Sequence, residues 1–399
     1  MSIDLYGLME KAFSTPLNLK HNTYKRSQTD NFMTDTRVER LADLAVNYSA
    51  GVKKNQEVFI AGPVISLPLI EEIYKHVLYA GAYPTVIFRE QQLDDIKFLY
   101  AQDHQLEHVP PVLKFIVQKA DRLIRIKAER NPKHLASIDP KKIAKNAATQ
   151  REITEIMADR IKKGEFNWTL YPFPTDSMAQ EASMSFLEYQ DFVFKTCFAH
   201  TKDPVKEWQK ASEMQEKIVT YLNKRSEFHI IGEDTDLTFC AEGRKWINSD
   251  GKKNMPDGEV FTGPVEDSVE GEIRFTFPAL YRGNEVEDVN LHFKKGVAVK
   301  AEAERGEAFL NHMIGIDEGS SKVGEIAIGT NYQVTRFTKD MLFDEKMGGT
   351  IHMALGRGLP ETGSDNRSAI HWDILKDMRK SGKIYADDEL FYENGKFLI

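Results

Sequence analysis

Cysteine is nearly absent from this chain of 399 residues: Cys197 and Cys240 are the only two, far apart and without a C-x-x-C partner. That argues against a disulfide framework and against a thiolate zinc site. No window holds the long unbroken apolar run of a membrane-spanning helix. The start, Met1-Ser2-Ile3-Asp4-Leu5-Tyr6, lacks the basic opening and apolar core of a secretory signal, so a cytoplasmic protein is expected. An excess of basic charge is missing too. A formal net charge of -8 and a pI near 5.8 give no electrostatic reason to approach nucleic acid or an anionic membrane. The chain also carries neither G-x-G-x-x-G nor G-x-x-x-x-G-K-[ST] after its first expected strand, where Gly62-Pro63-Val64-Ile65-Ser66 stands instead. A nucleotide cofactor therefore has weak support.

What is present is an ordinary globular composition, 41% hydrophobic and 29% charged, in a chain longer than one hydrophobic core usually serves. Residues 1–32 mix short apolar clusters with polar runs and read as an extension, a docking arm or leader. Asp35 then stands as a helix N-cap before the amphipathic run Val38 to Val46. Strands are expected at Glu57–Gly62, Tyr83–Phe88 and Leu123–Ile126, and helices at Leu67–Leu78, 139–163 and 204–224. Strands alternating with helices point to βαβ units and a mostly parallel sheet. After Ser226 the texture changes to short strands at Phe228–Ile231, Leu237–Cys240, Ile273–Phe277, Val286–Phe293 and Gly296–Ala301, with a helix over 305–314. The expected fold class is α/β: an amino-terminal α/β domain with a mostly parallel sheet over 33–225, then a β-rich α+β catalytic domain over 226–399. No internal repeat or low-complexity tract interrupts it.

Chemistry concentrates near the carboxy terminus. Glu345, His352, His371 and Asp373 fall within a short span, and His371 and Asp373, two apart on an expected strand, share a face. Upstream, Glu259 and Glu325 each follow a glycine and precede an apolar pair, which places a carboxylate at the start of a strand. A buried carboxylate needs a partner, and a cation is one possibility; exposure at a strand edge or pairing with an Arg is the other. Alone, each of these residues is weak. Together, three glutamates, two histidines and an aspartate exceed what one catalytic ion uses, because catalysis keeps a position open. Two divalent ions sharing a carboxylate use them all, and the set suits zinc, cobalt or manganese alike.

The segments Asn254-Met255-Pro256-Asp257-Gly258-Glu259-Val260-Phe261-Thr262, Gly324-Glu325-Ile326-Ala327, Asp344-Glu345, His352-Met353-Ala354-Leu355-Gly356 and Ser368-Ala369-Ile370-His371-Trp372-Asp373 resemble, in order, the signatures of the aminopeptidase T / aminopeptidase S family of thermophilic-type metallopeptidases. The resemblance extends to Thr175–Ala182 and to the helix around Arg37 to Val46, and covers everything after Met33. It implies a homodimer that removes amino-terminal residues from peptides with two divalent ions. The implied ligands are Glu259, Glu325, Glu345, His352, His371 and Asp373, with Glu325 as the bridge between ions. Apart from the resemblance, a carboxylate near the metals is expected to carry the proton, Glu325 or Glu259 only where it is not fully engaged with metal. One position departs from the family pattern: Leu359 stands where a tyrosine is expected, seven residues after His352. A phenol can donate to a developing oxyanion and leucine cannot. Arg357 and Tyr281 are the candidates for a replacement donor.

The expected mechanism is peptide hydrolysis by a metal-activated bridging water, with one ion polarising the carbonyl and the other binding the free amino group. Two rivals remain. His352, His371 and Asp373 alone match the facial triad of a mononuclear non-haem iron oxygenase, which leaves the three glutamates unexplained. Alternatively, Leu359 marks a catalytically weakened, peptide-binding member of the family.

Overall fold

The computed structural model describes residues 35–399, so the extension expected over 1–32 lies outside the described residues. Asp35–Ile399 forms one compact unit. Its first helix, Thr36–Asp43, starts as expected on Asp35, whose carboxylate accepts from the Arg37 N–H at 2.9 Å. It then continues as a wider turn over Leu44–Ser49.

Four strands form the parallel sheet, in the spatial order Tyr83–Phe88, Glu57–Gly62, Arg122–Lys127, Asn167–Pro172. Val58, Ile60 and Ile124 pack on one side against Leu41, Ile70, Ile73 and Val77 of two helices. Phe59 packs on the other side with Ile116 and Phe166. A parallel sheet needs this cover on both faces. The helix expected over 139–163 is two helices, Pro140–Ala148 and Gln150–Lys162. At the joint, the Thr149 hydroxyl donates back to the Asn146 carbonyl at 2.6 Å, the kind of local bond that competes with a continuous helix. Pro204–Leu222 forms as expected, capped by Asp203. Among the described residues no helix is long and apolar enough to cross a membrane.

From Glu227 onward two antiparallel sheets lie face to face. One has eight strands. The other has five, in the order His371–Asp377, Thr350–Gly356, Val323–Gly329, Glu259–Thr262, Ile247–Ser249. The shared core takes Phe228, Leu237 and Phe239 from the first, and Ile326, Ile328, Ile351, Met353, Trp372 and Ile374 from the second. The strand expected over Val286–Phe293 is broken into Asn284–Val286 and Asn290–Lys294. Between them Asp288 takes a positive φ of 55° and the Glu287 N–H bonds to Arg305 instead of the ladder.

Candidate metal centre

Period-two alternation builds the site. Ile326, Ile328, Ile351, Met353, Trp372 and Ile374 point into the core, so Glu325, Ala327, His352, Ala354, His371 and Asp373 must point from the opposite face. Register places them side by side. Glu325 opposes Ala354, which opposes Asp373; His352 opposes Ala327, which opposes Phe261, two residues from Glu259. Small residues at 327 and 354 leave the space that the longer side chains fill.

Glu345 comes from a turn rather than a strand. It follows the short helix Met341–Asp344, which Asp340 caps through the Leu342 N–H. Asp344, fully buried, accepts from the N–H and hydroxyl of Thr338 at 2.7 and 2.8 Å. Phe343 and Met347 pack with Met178, Tyr189 and Phe192 of the preceding helices. Lys127, at the end of a parallel strand, pairs with Asp340 at 2.7 Å. The turn is thereby fastened to the α/β part of the chain.

These elements bring all six expected side chains together. Glu325, His371 and Asp373 form one group, and Glu345, His352 and Asp373 another; in each, one ligand atom per residue lies within 4.8 Å of the others. The groups share Asp373, whereas Glu325, the bridge implied by the resemblance, belongs to one of them. Glu259 stands beside the second, with Oε2 3.6 Å from His352 Nε2. His371 Nε2 is 3.3 Å from Glu325 and 3.4 Å from Asp373. On its other side His371 Nδ1 donates to the Arg357 carbonyl at 2.7 Å, which fixes the tautomer and leaves Nε2 facing the carboxylates.

The electrostatics are those of groups short of positive charge. Burial pushes the Glu259 carboxyl up to about 8, and burial likewise raises Glu345. Burial disfavours charge on the two imidazoles, yet their carboxylate neighbours win: His352 is raised to about 9 and His371 to about 11. Asp373 is held down at about 2 against its own burial, chiefly by His371. Glu259 Oε2 and Asp373 Oδ1 are buried without a hydrogen-bond partner. Oxygen and imidazole donors converging on unsatisfied carboxylate oxygens fit divalent cations, and the residues present suit such ions.

Three residues carry weight that the sequence did not reveal. Lys346, 2% exposed, donates to Glu259 Oε1 at 2.5 Å and lies 2.7 Å from Glu345 and 3.6 Å from Asp257. Asp257 also accepts from the Gly251 and Gly258 N–H groups at 2.9 and 3.0 Å. Gln215, fully buried on the helix Pro204–Leu222, donates to the Glu259 carbonyl at 2.9 Å. Asp257 and Lys346 do stand next to ligand positions in the sequence, which is the available signal.

Leu359 is half-buried and opens the short turn Pro360–Thr362. Tyr281 packs against Trp372 at a tilt, ring centres 5.8 Å apart, and so lies on the core side of the sheet, away from the carboxylates. Arg357 is exposed and lines a cleft of about 1290 Å³ between the helices over 140–162 and the loop Ser364–Ala369. None of the six side chains lines that cleft.

Fold and site together define a metalloenzyme: a strand sandwich presenting a carboxylate- and imidazole-rich cluster beside an α/β layer. The chain belongs to the thermophilic metalloprotease (M29) family, whose model matches residues 34–397. It is 27% identical over 364 residues to "Aminopeptidase 2" of Geobacillus stearothermophilus, covering 85% of this chain and 87% of that protein. It is 28% identical over 352 residues to "Aminopeptidase T" of Thermus thermophilus, covering 81% and 85%. The fold is shared with the solved wild-type AmpT from Thermus thermophilus, at a TM-score of 0.79 and 23% identity over 91% of this chain and 99% of that one. Nothing in these comparisons favours the iron oxygenase, which also leaves unexplained three glutamates that the structure gathers around the histidines.

Proposed function

We propose that this chain is a metal-dependent aminopeptidase that holds two divalent ions, of zinc, cobalt or manganese, and works as a homodimer in the cytoplasm. The observation that carries the two-ion reading is the pair of ligand groups meeting at Asp373. One ion would sit with Glu325, His371 and Asp373, the other with Glu345, His352, Asp373 and Glu259. When bound, such ions activate water near neutral pH and polarise the scissile carbonyl. The named relatives support the aminopeptidase reading, and the unpaired Cys197 and Cys240 suit a reducing compartment.

The chain's own residues supply orientation and proton transfer. His371 is locked by the Arg357 carbonyl with Nε2 inward. Glu259 has one oxygen tied to Lys346 and the other unpartnered. That free oxygen is the one Glu259 has to offer an ion, so moving a proton from the attacking water to the leaving amine falls to a carboxylate with an oxygen to spare. Glu325, with Oε2 3.3 Å from His371 Nε2 and Oε1 3.7 Å from His352 Nε2, is the carboxylate we assign to that role.

The test is direct. Protein stripped with chelator and resupplied with cobalt or zinc should release chromophore from aminoacyl chromogenic substrates, and chelator should abolish it. Glu325→Gln should lower kcat/KM by more than about a hundredfold, since even outer partners of metal ligands cost up to that. Full activity after complete demetallation would overturn the proposal.

A further inference from the structure

Lys346 is buried inside a group of carboxylates that the two-ion reading reserves for metal. Its backbone is pinned: the Lys346 carbonyl accepts from the Asn331 N–H at 3.0 Å, and the neighbouring strand approaches so closely that a Cβ on Gly329 would meet the Met347 carbonyl at 2.0 Å. The ammonium therefore has little freedom, and it contacts Glu259 Oε1 and Glu345 Oε1. Glu259 Oε2 is left alone, facing His352.

We infer that Lys346 is a positioning residue, a cation built into the chain that occupies one oxygen of Glu259 and one of Glu345 so that each offers a single oxygen to a divalent ion. Two consequences follow from elementary charge and geometry. Single-oxygen ligation keeps coordination positions open for water and substrate, as a catalytic site requires. The fixed positive charge also opposes ion binding to the same carboxylates, so it holds metal affinity down. The charge count agrees. Asp257, Glu259, Glu325, Glu345 and Asp373, less the charge of Lys346, leave four negative charges, which two divalent ions neutralise. Without Lys346 the cluster stays negative after both ions are in.

The inference rests on the two-ion reading, and zinc binding by the full chain separates the two. Dialysed wild-type protein, Lys346→Met, and Lys346→Gln (which keeps donors but not the charge) are titrated with zinc in competition with a coloured chelator. Bound zinc is counted by elemental analysis. Wild type should bind two ions; failure there overturns the two-ion reading itself. Both variants should bind zinc more tightly, on the order of ten- to a hundredfold, while their kcat falls. Adding Asp257→Asn to Lys346→Met removes one negative charge near the lost positive one and should bring the affinity back toward wild type. A lysine that merely fills space predicts weaker zinc binding and no such return. Unchanged or weaker binding in both variants overturns the inference, as does failure of both to fold with zinc present, because bound ions should replace the missing charge.

Discussion

At the scale of single residues, the departures from expectation are the informative ones. Lys346 reads in the sequence as one more solvated charge, since lysine is almost never fully buried; only the fold shows that three carboxylates surround it. Leu359 is legible as a departure, and its place at the head of the Pro360–Thr362 turn leaves the site without a phenol there. We expect Leu359→Tyr to raise kcat, by up to about a hundredfold if an oxyanion donor is what the site lacks, with KM little changed. An unchanged kcat would assign that donor to another group. The histidines make a second prediction. His352 at about 9 and His371 at about 11 hold protons more tightly than the ordinary 6.5, and Glu259 at about 8 more tightly than 4.5. In the metal-free protein, stability from the imidazoles is present below 6.5 and is lost as pH rises through 9 and 11, while ionising Glu259 costs stability on the way to 8. Asp373, near 2, is ionised throughout and adds no slope. Ions must displace these protons, so they bind better as pH rises. Calorimetry should show that chelator lowers Tm more at about pH 8.5 than at about pH 6.5; the opposite order would show that these groups do not bear on the metals.

At the scale of elements, alternation is the legible part. Glu-Ile-Ala-Ile after Gly324 and His-Met-Ala-Leu before Gly356 display the two faces of their strands in the order of the residues alone. What the sequence could not show is register, because pairing Glu325 through Ala354 to Asp373 depends on a bulge between Val323 and Glu325. Gly324 sits in that bulge. A Cβ there would meet the Gly356 carbonyl at 2.3 Å and the Arg357 carbonyl at 2.5 Å, and the latter is the group that orients His371. Gly324→Ala should therefore weaken zinc binding about ten- to a hundredfold, the usual effect of disturbing a ligand's supporting partner. Equilibrium dialysis measures it, and wild-type affinity in the variant would show that the Arg357 carbonyl is dispensable. The fourth parallel strand, Asn167–Pro172, escapes a reading of the sequence for a plain reason: it opens with Asn and closes with Pro, both depleted in strands.

At the scale of the whole molecule, the change from alternating strand and helix to short strands near Ser226 is readable from composition alone, and it coincides with the passage from parallel to antiparallel sheets. The docking of one on the other is not readable, since it rests on contacts between residues far apart in the chain. Lys127 holds Asp340 across 213 positions, and Tyr189 and Phe192 lie on Phe343. Those contacts have a consequence for dissection of the gene. All six implied ligands are encoded after codon 226, so a truncated product beginning there would look complete on paper. It would nonetheless lack the surface against which the Glu345 turn is moulded, and would expose Leu342, Phe343 and Met347, now buried under the helices of the first half. Such a fragment should be isolated as an aggregate or without zinc, and mixing it with the separately expressed first half should recover zinc uptake only if the two associate. Sedimentation and zinc content of the fragment decide the matter.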